Sequence, residues 1–242
     1  MELNEKVNKL VCDSFAKQHK TSAKRNYIGA SRLGVECERA LQYETQNTKK
    51  DYDFEPKTLM IFETGNSFEE LAYKWLLKGG FDIENKDEDG NQFGFSLFGG
   101  KVSGHCDGIV RGGPSGFGYP MLWECKSMNE KNFNLAKEDG IKKFSEVYYV
   151  QVQLYMKYFK LKRCMFTCVN KNTSEMYHDF INLDVGAAEE TLDKITRIFE
   201  RISKGEMSLR KYHDKTFFKC KFCAWRDTCW GEKKIENKDV LW

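Results

Sequence analysis

The stretch Ser103–Met128 constrains this chain more than any other. It reads SGHCDGIV, then GGPSGFGYP, then MLWECKSM. Gly and Pro supply turn conformations, so the segment predicts two strands joined by a hairpin-like connection. Asp107 falls on the first strand. Glu124 and Lys126 fall on the second, two residues apart, so they share one face. Two carboxylates and an ammonium gathered in one place are costly as packing and useful as chemistry.

The rest of the chain predicts a frame for that pair. Residues 1–24 form a polar amphipathic helix, with Val7, Leu10, Val11 and Phe15 at helical spacing. Ser31 is placed to cap a short helix through Cys37, Leu41 and Glu44. A polar loop, 47–56, precedes an amphipathic helix in LMIFETGNSFEELAYKWLLKGG, with Phe68, Leu71, Ala72, Trp75 and Leu76 on its apolar stripe and Gly79-Gly80 as its stop. FDIE, QFGFSLF, KVSGHCDGIV and MLWECK read as successive strands. KKFSEVYYVQVQLYMKYFKL reads as one long helix, RCMFTCVNK and SEMYHDFINLD as a strand pair, and 187–203 as a last helix stopped by Gly205. This order predicts a mixed α/β core with helices on both faces of a central sheet. It divides into an N-terminal helical segment (1–60), a core (61–204) and a cysteine-bearing tail (205–242), together one compact domain.

Hard divalent cations such as Mg²⁺ or Mn²⁺ take oxygen ligands, commonly one or two carboxylates completed by water and phosphate. Asp107 and Glu124 offer these, with the Cys125 carbonyl as a third. Lys126 is placed to orient a water or to stabilise a phosphorane oxyanion. The alternative is an exposed strand pair with charged residues on one face. Glu69 lies early in the helix before the strands, and Glu70 beside it reads as a favourable first-turn acid. Gln151 and Tyr155 are i, i+4 neighbours on the helix after Lys126.

Of nine cysteines, Cys12, Cys106, Cys125, Cys164 and Cys168 are isolated, and most of them read as small buried hydrophobes. The other four are different. Cys220, Cys223 and Cys229 form C-x₂-C-x₅-C, a spacing that lets thiolates converge on a metal. The fourth ligand is either His213, giving a Cys₃His zinc site, or Cys37 from the far end of the chain, giving Cys₄ for zinc or an iron–sulfur cluster.

Taken together, these residues resemble the RecB-like branch of the PD-(D/E)XK nuclease superfamily. The likeness is to its iron–sulfur members: CRISPR-associated RecB-like exonucleases, the AddB nuclease domain and exonuclease V-like enzymes. It spans roughly 28–230. Gly65 and Glu69 match the family's Gly-x₃-His/Glu motif, Asp107 its metal Asp, Glu124 and Lys126 its Glu-x-Lys, and Gln151 and Tyr155 its Gln-x₃-Tyr. Cys37, in CERALQY, matches the family's first cluster cysteine and Cys220, Cys223 and Cys229 the other three. Cys106 stands where the superfamily name implies Pro, and Cys125 stands where a branched aliphatic is usual.

The resemblance implies a restriction-endonuclease-like core whose terminal segments meet at a 4Fe-4S cluster. It implies a Mg²⁺- or Mn²⁺-dependent deoxyribonuclease acting on single-stranded DNA or DNA ends. Glu69, Asp107 and Glu124 would hold the metal, and Gln151 and Tyr155 would contact the strand. CRISPR adaptation, repair and phage recombination are the expected settings, with protein partners there. With no helicase motif in the sequence, a stand-alone nuclease is expected. The rival is a non-catalytic, zinc-stabilised DNA-binding or adaptor protein.

A net charge of only +3 means that any DNA contact must come from a local basic surface. Lys142, Lys143, Lys157, Lys160, Lys162 and Arg163, interleaved with Tyr148, Tyr149, Tyr158 and Phe159, are one candidate; the alternative is a solvated helix face over an aromatic core. The chain shows no membrane-length apolar run and no signal-peptide core, which predicts a cytoplasmic location, and the resemblance implies a bacterial, archaeal or phage-infected cell.

Overall fold

The computed structural model describes residues 2–21 and 25–231; the polar segment after Gly231 lies outside these. In chain order the elements are α1 (Leu3–Thr21), β1 (Ile28–Gly29), a 3-10 turn (Ala30–Arg32), α2 (Glu38–Thr45), α3 (Pro56–Lys78), β2 (Asp82–Glu84), β3 (Gly94–Leu97), β4 (Val102–His105), β5 (Gly108–Gly112), β6 (Met121–Met128), α4 (Glu130–Phe144), α5 (Glu146–Phe159), β7 (Arg163–Asn170), β8 (Met176–Asn182), α6 (Val185–Ser203), α7 (Phe218–Lys221) and α8 (Arg226–Cys229).

Five strands form a mixed central sheet in the order β2-β5-β6-β7-β8, parallel at β6–β7 and antiparallel elsewhere. Its middle strands are covered on both faces, as their apolar runs require. Leu122, Phe166 and Cys168 pack in one core with Val152 and Met156 of α5 and Ile195 of α6. Met121, Trp123, Cys125 and Met165 pack in a second core with Ala72 and Leu76 of α3. This is the α/β class, with a mixed sheet flanked by helices, expected from the element order.

The hairpin is real but its first strand is two strands. KVSGHCDGIV breaks at Cys106–Asp107: β4 joins β1 and β3 in a separate three-stranded sheet, and β5 pairs with β2 and β6. The Cys106 amide bonds the Phe93 carbonyl at 2.9 Å, outside either ladder. Asp107 is thereby freed from strand pairing, and its carboxylate turns back onto β6.

Other differences are local. Ser31 lies in the 3-10 turn, and α2 starts instead with Cys37 at its N-cap. α3 begins earlier than its apolar stripe suggests, with Pro56 in its first turn, where the missing N–H costs nothing. Leu71 is exposed, and Ala72 and Leu76 carry the burial. The long helix over 142–161 is the end of α4 followed by α5. Gly140 at φ 71° kinks α4, and Ser145 leaves helical geometry to cap α5 by accepting from the Tyr148 amide at 3.4 Å. α1 follows the reading, but none of its residues is buried. Among the described residues, no helix is long and apolar enough to cross a membrane.

The interleaved basic and aromatic set on α4–α5 is a solvated face over a core. Tyr149 is buried, and Tyr148 and Phe159 pack on the same core. Tyr158 is partly exposed but sits against Phe95 and Phe159. Lys142, Lys143 and Lys157 are paired with Asp184, Asp139 and Glu189.

Candidate active site

β6 alternates its side chains between the two cores, which puts Glu124 and Lys126 on the face toward α5 and Cys125 on the face toward α3. Glu124 is fully buried. Its Oε1 accepts from Lys126 Nζ at 2.5 Å and from Gln151 Nε2 at 2.8 Å, while Oε2 is buried with no hydrogen-bond partner. Asp107 Oδ2 accepts from the Cys125 amide at 2.8 Å and lies 3.9 Å from Lys126 Nζ. Lys126 also donates to the Cys125 carbonyl at 3.0 Å, so that carbonyl is engaged by the ammonium. The sheet break therefore brings Asp107, Glu124 and Lys126 together.

Glu69 approaches from α3. It lines a cavity of about 140 Å³ with Asp107, Asn66, Tyr73, Asn85 and Trp123. Burial, reinforced by repulsion from Asp107, pushes the Glu69 carboxyl up to about 7, and the same causes push Glu124 up to about 8. Burial also raises Asp107, against the pull of Lys126. Burial alone would pull the Lys126 ammonium down; Glu124 and Asp107 outweigh it and hold the group well above the usual lysine range. The site is thus a crowded negative charge with one internal cation. As placed, no three His, Cys, Asp or Glu side chains among the described residues are grouped to hold a metal ion. The Lys126 ammonium lies between the carboxylates that would be drawn to one.

Gln151 and Tyr155 are buried, with side chains turned inward rather than toward a strand in solvent. Gln151 orients Glu124, and Tyr155 donates to the His105 carbonyl at 2.7 Å, two residues before Asp107. Tyr155→Phe is expected to lower stability by about 1 kcal/mol, because the part-buried His105 carbonyl loses its donor. Urea denaturation measures it, and an unchanged midpoint would show that the bond carries no weight.

One buried chain had no sequence signal. Trp123 Nε1 donates to Thr167 Oγ1 at 3.0 Å, and Thr167 Oγ1 lies 3.1 Å from His178 Nδ1, linking β6, β7 and β8 beneath the site. A larger cavity of about 590 Å³, lined by Lys142, Tyr149, Asp179 and Asp184 among others, shares no residue with the carboxylate cluster.

Cys37 lies near one end of the chain, and Cys220, Cys223 and Cys229 near the other. Cys37 caps α2, Cys220 lies in α7, and Cys229 ends α8. Burial raises the Cys220 and Cys223 thiols, and the neighbouring Cys37 and Cys229 raise both further. His213, the other candidate for fourth ligand, is exposed.

The tail is also held by ordinary hydrogen bonds. Gln42 bonds the Glu206 carbonyl at 2.7 Å and the Ser208 amide at 2.6 Å, and Arg39 bonds the Ser208 carbonyl at 2.6 Å. Asp51 accepts from the Asp227 and Thr228 amides at 2.7 and 3.0 Å, and Trp225 Nε1 donates to the Thr48 carbonyl at 2.9 Å.

No family model and no curated protein matches this chain. Solved structures do. The protein SSO0001 is 18% identical with a TM-score of 0.51, covering 94% of this chain and 98% of its own. The alkaline exonuclease LHK-Exo from Laribacter hongkongensis is 13% identical with a TM-score of 0.53, covering 74% of this chain and 89% of its own. A phage-related exonuclease from Haemophilus somnus 129PT is 13% identical with a TM-score of 0.52, covering 74% of this chain and 96% of its own. At these identities the likeness is one of fold: this chain shares the α/β architecture of the alkaline and phage-related exonucleases.

Proposed function

We propose that this protein is a DNA nuclease of the RecB-like PD-(D/E)XK kind, hydrolysing phosphodiester bonds in single strands or at DNA ends. The observation that carries this reading is the meeting of Asp107, Glu124 and Lys126, with Glu124 Oε2 buried and unpartnered. A buried carboxylate oxygen without a donor is costly, and a hard cation is the partner that would satisfy it. The donor set therefore fits Mg²⁺ or Mn²⁺, with Asp107 and Glu124 as holders and Glu69 assisting. When bound, such an ion lowers the pKa of a water and offsets charge on the phosphate. The exonucleases that share the fold support the same reading, and one of them, LHK-Exo, has been solved with dAMP.

The chain's own residues do the rest. Lys126 must swing from Glu124 Oε1 to free both carboxylates, and its ammonium then faces the attacking oxygen or the phosphate. Gln151 keeps Glu124 aligned while this happens, and Tyr155 keeps the chain just ahead of Asp107 in place. The pathway reading is CRISPR adaptation, repair or phage recombination, in a cytoplasm. We propose further that Cys37, Cys220, Cys223 and Cys229 hold a 4Fe-4S cluster, on the C-x₂-C-x₅-C spacing and the likeness of Cys37 to the family's first cluster cysteine, although as placed these thiols are not grouped to hold a metal.

The test is digestion of 5′- and 3′-labelled single and double strands, with and without Mn²⁺, beside an Asp107→Asn variant. Metal-dependent loss of label in the wild type alone is expected. Equal degradation by the variant overturns the assignment. Iron analysis and absorbance near 400 nm, a region where such clusters absorb, read the cysteines; one zinc in a colourless protein sinks the cluster.

A further inference from the structure

The tail carries a surface that neither the carboxylate site nor the cysteines explain. Between Leu209 and Phe222 lie five basic residues, Arg210, Lys211, Lys215, Lys219 and Lys221, against one acid, Asp214. That net of +4 exceeds the +3 of the whole chain, so the basic excess of this protein is concentrated here. The same stretch exposes its aromatics: Phe222 is 82% exposed and Phe218 58%. Phe217 supports Phe218 from behind, ring centroids 4.8 Å apart, and itself rests on Tyr212 at 4.6 Å.

Part of the charge is used structurally. Lys219 pairs with Glu36 at 3.0 Å, and Arg210 donates to the Cys229 carbonyl at 2.7 Å. Lys211 and Lys221 are exposed beside the rings. Two wet phenyl rings among ammonium groups are poor packing for a solvent-facing segment. They suit a ligand that offers flat apolar faces and negative charge together, which describes unpaired bases on a phosphate backbone. A duplex, with its bases already stacked, offers those faces only at its ends.

The placement fits delivery to the carboxylates. Glu36 accepts from Tyr212 at 2.5 Å and anchors the platform. Two residues earlier, Gly34 lies against the backbone of Val147 in the first turn of α5. Gln151, which orients Glu124, follows one turn later, about 6 Å along the helix. We infer that Lys211–Phe222 is a docking platform for an unpaired nucleic-acid strand, with Phe218 and Phe222 stacking bases and Lys211 and Lys221 meeting phosphates; in its link to cleavage this rests on the nuclease reading.

The test measures binding of fluorescein-labelled dT20, and of a blunt duplex of the same length, by anisotropy in EDTA across a NaCl series. The double variant F218A/F222A is expected to weaken dT20 by about tenfold or more, with an unchanged salt slope and little change for the duplex. F218W/F222W is expected to restore binding. K211A/K221A is expected to lower the slope of log K against log salt by about 1, at roughly 0.7 per phosphate contact. Unchanged dT20 affinity in F218A/F222A overturns the platform, and so does an equal loss for the duplex. Hydrolysis of the dinucleotide pTpT by the wild-type protein with Mn²⁺ reads the nuclease assignment separately. A wild type that leaves pTpT intact, beside weakened dT20 binding in F218A/F222A, overturns that assignment and supports the platform.

Discussion

Lys126→Ala is expected to lower the rate of Mn²⁺-dependent strand cleavage by about 10²–10³-fold, the range for removing one charge-stabilising donor from a transition state. The ammonium holds Glu124 Oε1 at 2.5 Å and lies 3.9 Å from Asp107, so it organises the site as well as serving it. Removing it leaves Glu124 buried with the Gln151 amide as its remaining donor among the described residues and Oε2 still unpartnered. Breaking a buried pair from one side costs about 3–5 kcal/mol. Lys126 is a quarter exposed, so the loss should fall at or below the lower end of that range. Lys126→Arg separates the two effects: it keeps the charge and most of the stability, but a planar fork does not reproduce a point charge. Single-turnover cleavage and thermal melting of both variants read chemistry and stability apart. Activity of the alanine variant within threefold of wild type would remove Lys126 from the mechanism.

Gly34→Ala is expected to destabilise the fold by about 1–3 kcal/mol, the usual cost of overpacking. A Cβ there would sit 2.4 Å from Val147 Cα and 3.0 Å from the Glu146 carbonyl oxygen. Both neighbours are backbone at the start of α5, so neither can rotate away. In a chain of this size that loss lowers the melting temperature by about 2–4 °C per kcal/mol. Because α5 carries Gln151 and Tyr155, displacement of its first turn should also lower cleavage in the surviving folded protein. Gly29 is the internal control: a Cβ there meets only Ser31 and Arg25 side-chain atoms, at 3.6 and 3.7 Å. Equal melting of Gly34→Ala and wild type would show that the turn has room to shift.

These two residues show how differently the sequence speaks. Lys126 was visible because Glu-x-Lys sets a charge two positions from a carboxylate inside an otherwise apolar strand, a pattern that by itself fits a charged strand pair as well as a metal site and gains weight from Glu69, Gln151 and Tyr155 around it. Gly34 was silent. Its role comes from Val147, more than a hundred positions away, and no local pattern encodes a close approach of two backbones. The same holds for Asp51 and Gln42, whose side chains seat the tail.

The misread elements have the same origin. Residues 101–110 look like one strand because both halves are strands. Only pairing to different sheets separates them at Asp107. The aromatics of α5 and the aromatics of the tail look alike in sequence, each interleaved with lysine. Tertiary packing buries Tyr149 and Tyr155 and leaves Phe218 and Phe222 in water.

By itself, the sequence determined the element types, the α/β class, the hairpin around Glu124 and Lys126, and the identity of the residues with chemical potential. Periodicity and turn chemistry act over a few residues, so they survive in a linear reading. Which of those residues meet was decided by tertiary structure. The break between β4 and β5 turns Asp107 onto β6, α5 brings Gln151 to Glu124, and α2 brings Cys37 beside the tail. Those meetings depend on strand pairing and helix packing across 18 residues for Asp107 and Cys125, 27 for Glu124 and Gln151, and more than a hundred for Cys37 and the tail, where no short-range preference reaches.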